Sequence, residues 1–143
     1  MKIWQGYGSE HSANLVIIGH FKDAGHAATA KQLLDKLTSI ALDDGKRGEI
    51  TAGTRPTRFT SAMSAFLSSS NYPLVNHEDV EELLYDYDLR CQGATVVITT
   101  EEDGIRAFLG VLLHEGAKIE VYSAHHHPSE YGRPTYKEEE KDA

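Results

Sequence analysis

The sequence predicts an α+β fold in which an antiparallel sheet carries helices on one face. Two apolar segments are each followed by an acidic residue and an amphipathic stretch: with a shift of 80 residues, Val16 to Ile18 falls on Val96 to Ile98, and Asp23 falls on Asp103. Gln92-Gly93 separates two strand-like segments, which is typical of a hairpin turn. The predicted order is strand, helix, helical insert, strand, strand, helix, strand, which is the split βαβ, ferredoxin-like arrangement.

The first unit is a buried strand followed by a long helix. Leu15 to Ile18 is a run of four apolar residues, which suits a strand covered on both faces. Asp23 is placed to cap a helix that runs to about Leu42, with apolar residues recurring every three or four positions. Gly45 then provides a left-handed residue that would end the helix.

A helical insert is predicted between the first helix and the second strand, at about residues 46–86. It begins with a loop rich in glycine, threonine and arginine, over residues 46–56. Two short helices follow, at about Arg58 to Ser68 and about His77 to Tyr85, and Asn76 is placed to cap the second.

The second half of the chain supplies three strands and one helix. The strands are predicted at Tyr87 to Cys91, Ala94 to Thr100 and Lys118 to Ala124, with a helix at Gly104 to Glu115. Right-handed crossovers then give a four-stranded antiparallel sheet in the order 4-1-3-2, with both main helices on one face.

The size and charge of the chain limit its partners. We expect residues 1–128 of the 143 to form one domain and residues 129–143 to be an acidic, disordered tail. The formal charge of −8 opposes binding to nucleic acid, since phosphate contacts depend on lysine and arginine. No apolar run reaches the roughly 20 residues of a membrane span, and no signal-peptide core is present. Together with a single cysteine, this predicts a cytoplasmic protein without a membrane partner.

One polar cluster is predicted at an end of the sheet. We expect strands one and three to run in one direction and strands two and four in the other. One end would then gather the start of strand one, the end of strand four and the hairpin. The polar residues brought together there would be Ser9, Glu10, His11, Ser12, Cys91, Gln92, His125, His126 and His127.

This cluster has a metal-binding interpretation and two alternatives. His125 and His127 would point to the same face of a strand, and with Glu10 or His11 they could bind zinc or another divalent transition metal. Without a metal, a histidine beside a glutamate could transfer protons. Equally, three histidines before a proline suit a solvated strand end, and no cofactor is specified by the spacing.

A second candidate site is the sheet face away from the two main helices. The central strands are apolar on both sides, and we assign Val16, Ile18, Val96 and Ile98 to the uncovered side. An uncovered apolar face predicts a binding surface. Its occupant would be the insert, a second copy of the chain in a homodimer, or a different protein.

Two segments resemble known families. Asn14 to Asp23, followed by the alanine-rich stretch to Leu37, looks like the first strand and helix of dimeric α+β barrel proteins, a superfamily that includes small monooxygenases. The resemblance implies face-to-face pairing of two sheets around a ligand-sized interior, but no catalytic motif of that group can be placed on residues of this chain. The opening Met1 to Ser12 is similar to that of a small bacterial family of unknown function.

These observations leave two functions open. The first is a non-catalytic interaction or regulatory module that associates through its open sheet face. The alternative is a small metal-binding protein or enzyme that uses Glu10, His11, His125 and His127.

Overall fold

The computed structural model describes residues 14–71 and 73–124. Within these residues the chain forms four strands, three α-helices and one 3₁₀ helix. In chain order they are β1 (Leu15–His20), α1 (Ala24–Lys46), α2 (Ser61–Ser69), the 3₁₀ helix (His77–Leu84), β2 (Tyr87–Gln92), β3 (Thr95–Thr100), α3 (Arg106–His114) and β4 (Lys118–Ser123). None of the described helices is both long enough and apolar enough to cross a membrane.

The strands form one antiparallel sheet in the order β2-β3-β1-β4. This is the predicted order 4-1-3-2, so the α+β class and the strand order are confirmed. β1 lies in the interior of the sheet, which agrees with its four consecutive apolar residues. β2 and β4 are the two edge strands.

The predicted directions of β2 and β3 are both wrong relative to β1. Leu15 pairs with Thr100 and His20 pairs with Thr95, so β3 runs opposite to β1. A helical crossover returns β2 in the direction of β1, and the hairpin then reverses β3. The hairpin therefore lies where β1 ends, and the amide of Phe21 donates to the carbonyl of Ala94 at 2.8 Å. Cys91 and Gln92 are consequently at the opposite end of the sheet from the predicted polar cluster.

The hairpin turn is formed by the two residues between β2 and β3. Gly93 has a φ of 57°, as predicted for a residue in this turn. The turn residues are Gly93 and Ala94, one position later than predicted, and Ala94 is not among the residues with positive φ. Glycine at the first position with positive φ is typical of a type II′ turn.

Opposite residues of the sheet share a face, and the register divides the sheet into two faces. Ile17 pairs with Ile98 and belongs to the core packed under the helices. Val96 and Ile98 therefore lie on the helix-covered face, whereas Val16 and Ile18 lie on the other. Val16 pairs with Thr99 and Ile18 pairs with Val97, and both partners are adjacent in sequence to Ile98, so they lie on the opposite face from it. The prediction that Val16, Ile18, Val96 and Ile98 share the uncovered face is therefore wrong.

Helix α1 extends four residues beyond its predicted end. Asp23 caps it as predicted, with a side chain that accepts from an amide in the first turn. The helix continues through Gly45, where a Cβ would lie only 3.1 Å from a methyl carbon of Leu84. The left-handed residue that follows the helix is Gly48, with a φ of 76°.

The insert packs into the same core as the sheet. Both of its short helices are present, and the second is a 3₁₀ helix. Met63, Val80 and Leu83 are 0%, 3% and 1% exposed and belong to the helix-side core. Asn76 occupies the N-cap position without a side-chain bond to the helix. Within the described residues, the insert therefore covers the helix side of the sheet.

Candidate functional site

Apart from Cys91 and Gln92, the residues of the predicted polar cluster lie outside the part of the chain that the structure describes. What is described is its approach: β1 and β4 are antiparallel neighbours, and the amide of Ala124 donates to the carbonyl of Asn14 at 2.8 Å. No group of three potential metal ligands occurs among residues 14–71 and 73–124. Metal binding thus stays a prediction for His125 and His127 with Glu10 or His11, and these residues, like Ser12 of the same cluster, lie outside those ranges.

The face of the sheet on which no described helix packs is called the helix-free face. One row across it is called the charged row, and its members pair in sequence from one edge of the sheet to the other: Arg90, Val97, Ile18 and Glu120. Arg90 and Glu120 are exposed, whereas the two central residues are apolar. A cation, an apolar centre and an anion thus follow one another across four strands.

The apolar centre of this face is less accessible than predicted. Val16 and Ile18 are only 1% and 8% exposed within the single chain. Val16 is flanked by Thr99 and Tyr122, and both of these are half-buried. The face therefore offers partners its charged edges and the half-buried side chains between them, rather than a bare apolar patch.

The edges of the helix-free face carry charges of both signs. Nε of Arg90 lies 3.6 Å from Oδ2 of Asp88 on β2. On the opposite edge, Nε2 of His20 lies 2.8 Å from Oε1 of Glu120. These pairs are well exposed, so each contributes little to stability and is available to exchange partners.

A groove, called the edge groove, lies between α1 and the edge strand β2. Its cavity has a volume of about 320 Å³. Its lining combines leucines, hydroxyl groups and two carboxylates: Asp35, Thr38, Leu42, Leu83, Leu84, Tyr85, Asp86, Tyr87 and Leu89. Leucine side chains and polar groups share this lining, and the surface of the open groove is more polar than apolar.

Tyr87 is held firmly in this groove. Its hydroxyl hydrogen-bonds to that of Thr38 on α1, and its ring meets that of Phe108 edge-on, with 4.7 Å between centroids. Burial raises the pKa of Tyr87 above its usual value. The phenol is therefore protonated at neutral pH and acts as a hydrogen-bonding group rather than a base.

The outer edge of β2 presents a regular set of backbone groups. The Phe21 to Ala94 bond shows that alternate residues of β3, starting with Ala94, bond to β1. The residues between them bond to β2, which occupies the backbone groups of Asp88, Arg90 and Gln92. The remaining backbone groups of β2 point away from the sheet, and they belong to Tyr87, Leu89 and Cys91.

A buried carboxylate joins α1 to the insert. Asp44 is 0% exposed, and its Oδ2 accepts from Oγ1 of Thr60 at 2.6 Å. Its other oxygen accepts from the guanidinium of Arg47. Thr60 is also the N-cap of α2 and accepts from the amide of Met63 at 3.1 Å. This network fixes the insert in place and has a structural role.

A second carboxylate of the insert caps α3. Oε1 of Glu82 accepts from the amide of Ala107 at 2.9 Å, whereas the N-cap residue Ile105 makes no side-chain bond. Burial is the main cause that raises the pKa of Glu82, and the charge of Asp79 adds to it. The hydrogen bond from the Ala107 amide lowers the pKa of Glu82 and partly offsets these two causes. Ionisation of Glu82 is therefore less favourable in the folded protein than in the unfolded chain, although its carboxylate caps a helix.

Comparison with known proteins gives a family without an assigned activity. No curated protein and no solved structure matches the chain. Residues 1–133 match the family described as "Family of unknown function (DUF6375)". The match spans every described strand and helix, and the chain therefore belongs to this family.

Proposed function

We propose that this protein is a small cytoplasmic interaction module, non-catalytic and ferredoxin-like in fold, that associates with a second copy of itself through the helix-free face. The observation that carries the proposal is the charged row, with Arg90 at one edge and Glu120 at the other. The charge complementarity of the two edges favours a second copy over an unrelated protein. The overall charge of −8 disfavours nucleic acid as a partner.

The row is self-complementary under two-fold symmetry. An axis parallel to the strands, between two facing sheets, places β2 of one copy over β4 of the other. Arg90 and Glu120 lie at the same level along the strands, because both belong to the row that contains Ile18. Arg90 of each copy would then oppose Glu120 of the other, which gives two equivalent ion pairs around Val97.

The size of the face predicts a weak dimer. Four strands about 4.8 Å apart and six residues long cover roughly 400 Å², taking about 3.4 Å per residue. A standard stable interface buries about 800 Å² per partner. Because Val16 and Ile18 are already buried in one chain, they add little further apolar burial. We therefore expect a reversible dimer whose dissociation constant is about micromolar or higher.

Charge exchange tests this arrangement by sedimentation velocity over a wide concentration range. Arg90→Glu and Glu120→Arg should each weaken the dimer, by about tenfold or more. The double variant should restore it. The two residues lie three strand spacings apart, about 14 Å, so restoration within one chain is excluded. Arg58→Glu makes the same charge change at an exposed position in the insert and should have no effect.

The results separate the possibilities clearly. A protein that stays monomeric at every concentration contradicts self-association. A dimer that single charge changes leave unaltered contradicts the use of this face. Far-ultraviolet circular dichroism of each variant shows whether the fold is retained.

The metal-binding alternative has one supporting observation. The bond between the Ala124 amide and the Asn14 carbonyl brings together the two chain segments that lead to the predicted ligands. Under this alternative, Glu10, His125 and His127 bind zinc, and stoichiometric zinc raises the melting temperature of the full chain. His125→Ala with His127→Ala should abolish that rise. An unchanged melting temperature in excess zinc would end this alternative.

A further inference from the structure

We propose that the edge groove is a separate docking site for an extended peptide segment, which adds a strand to β2 and is rich in apolar residues flanked by lysine or arginine. This surface lies on the helix side of the sheet edge. It is distinct from the helix-free face, so the proposal does not depend on self-association.

The backbone of β2 supplies the first part of the argument. Tyr87, Leu89 and Cys91 direct their amides and carbonyls outward, and among the described residues none of these groups has a hydrogen-bond partner. An edge strand with free backbone groups is a template for another strand. Strand addition uses those groups for affinity and the neighbouring pockets for selection of side chains.

The position of the groove supplies the second part. Side chains of an added strand alternate between the two faces of the sheet, so every second one would project on the side of Leu89. There they would meet the cavity of about 320 Å³ between β2 and α1. Leu42 is 43% exposed at its wall, while Leu84 and Leu89 are half-buried. An aliphatic side chain entering the groove would cover these leucines.

The charge of the groove selects the peptide. The lining residues include the carboxylates of Asp35 and Asp86, both exposed, and no lysine, arginine or histidine. Asp35 is paired with Lys31 at 2.7 Å. Asp86 precedes β2, so it lies at one end of the outward-facing backbone groups. A basic residue near that end of the peptide would be attracted to Asp86, whereas an acidic peptide would be repelled.

The test is selection from a displayed library of random heptapeptides on the full chain, followed by titration of the enriched peptides. We expect alternating apolar residues with at least one lysine or arginine. Leu42→Lys places a cation in the groove and should weaken binding at least tenfold. Leu113→Lys is the matched control, because Leu113 is 53% exposed and lies on α3. Both leucines are on helix surfaces, so both variants should fold.

Hydrogen exchange locates the bound peptide. The amides of Tyr87, Leu89 and Cys91 should become slower to exchange, while that of Arg90, already bonded to β3, should change little. Glu120→Arg, on the other edge strand, should leave peptide affinity unchanged even if it disrupts the dimer. Failure to enrich any peptide overturns the proposal. So do equal affinities of the Leu42→Lys and Leu113→Lys variants, or slowed exchange confined to the helix-free face.

Discussion

Asp44 is the clearest case of one side chain that holds separate parts of the chain together. Its carboxylate is fully buried and receives bonds from Thr60 and Arg47. Its own carbonyl accepts from the amide of Glu49 at 2.9 Å, at the start of the insert. A buried charge is tolerated only when it is paired and hydrogen-bonded, and removing the charge leaves its donors without a partner.

We expect Asp44→Ala to lower the free energy of unfolding by about 3 kcal/mol. The loss arises from the half-buried Thr60, whose hydroxyl loses its acceptor, and from the released end of α1. Urea denaturation measures it. Asp43→Ala removes an exposed carboxylate one residue earlier and should change stability by less than about 0.5 kcal/mol. Equal effects of the two changes would contradict the role assigned to Asp44.

Sequence alone does not distinguish Asp44 from a residue that ends a helix. Asp-Asp-Gly at residues 43–45 is a typical terminator, and the predicted helix therefore ends near Leu42. Two long-range contacts override this local preference: Thr60 bonds to Asp44, and Leu84 packs where Gly45 lacks a Cβ. Neither partner can be identified from helical periodicity, because both come from the insert.

At the scale of elements, helix α3 depends on a residue from outside itself. The acidic residues Glu101 to Asp103 are placed, on sequence grounds, to favour its positive end. In the structure, Glu82 of the 3₁₀ helix accepts from the Ala107 amide. A carboxylate at a helix N-terminus satisfies a free amide and interacts favourably with the helix dipole. Burial opposes this benefit by raising the pKa of Glu82.

The stability contributed by Glu82 should depend on pH. Because its folded pKa lies above that of the unfolded chain, the folded state binds the proton more tightly. Stability is therefore lost as the pH rises from the ordinary glutamate value through the raised pKa. Glu82→Gln keeps an oxygen acceptor without the charge. We expect this variant to gain stability relative to wild type at pH 7, and the gain to shrink near pH 4.

Paired thermal or urea unfolding at the two pH values measures this difference. Glu78→Gln changes an exposed residue of the same 3₁₀ helix and should alter stability by less than about 0.5 kcal/mol at either pH. A Glu82→Gln gain that grows in acid would reverse the sign and refute the interpretation. Glu82→Ala removes the acceptor altogether and should cost about 1 kcal/mol, which reports the cap separately.

Most elements could be predicted from local pattern, but their function could not. The strands and helices follow from apolar periodicity and from capping residues such as Asp23. The edge groove escapes that approach, since it is formed by the relative placement of α1 and β2. Its available signal is the alternation in β2 between apolar residues, such as Leu89, and charged ones, such as Arg90. An edge position in the predicted strand order adds to that signal.

At the scale of the whole molecule, the insert is an integral layer of the domain. Its backbone crosses α3 so closely that a Cβ at Gly110 would lie 1.7 Å from the carbonyl oxygen of Leu74. Only glycine permits this approach. The close approach at Gly110 and the Glu82 cap thus join the insert to α3, as Asp44 joins it to α1.

We expect Gly110→Ala to destabilise the protein by at least about 2 kcal/mol, because the insert must move away from α3. Gly25→Ala is the comparison: its Cβ would meet a side-chain oxygen, Oδ1 of Asp23, at 3.3 Å rather than backbone at 1.7 Å, so the change should cost much less than Gly110→Ala. Thermal unfolding compares the two. A neutral Gly110→Ala would show that the Leu74 segment is free to shift. If Gly110→Ala instead produced a separate unfolding transition at lower temperature and left the main transition unchanged, the insert would unfold independently of the rest of the domain.

The order of the strands in the sheet can be predicted from the sequence, but the residues that each face of the sheet presents cannot. Crossover and hairpin rules give β2-β3-β1-β4, and applying them fully also reverses β3. What the sequence pattern does not determine is the pairing register between β1 and β3. A slip of one residue exchanges the faces of a strand, which explains why the apolar pattern alone places Val96 and Ile98 on the wrong side. Apolar runs that lack alternation provide no means of choosing between the two registers.

The interior position of β1 also has a consequence for biosynthesis. β1 is translated before both of its hydrogen-bonding neighbours, which come from the last third of the described chain, at Thr95–Thr100 and Lys118–Ser123. At a typical rate of about 5–20 residues per second, its apolar side chains wait for roughly 5–20 s before the sheet can assemble. Nascent or truncated polypeptides would expose this segment, so chaperone dependence and aggregation of shortened products are expected.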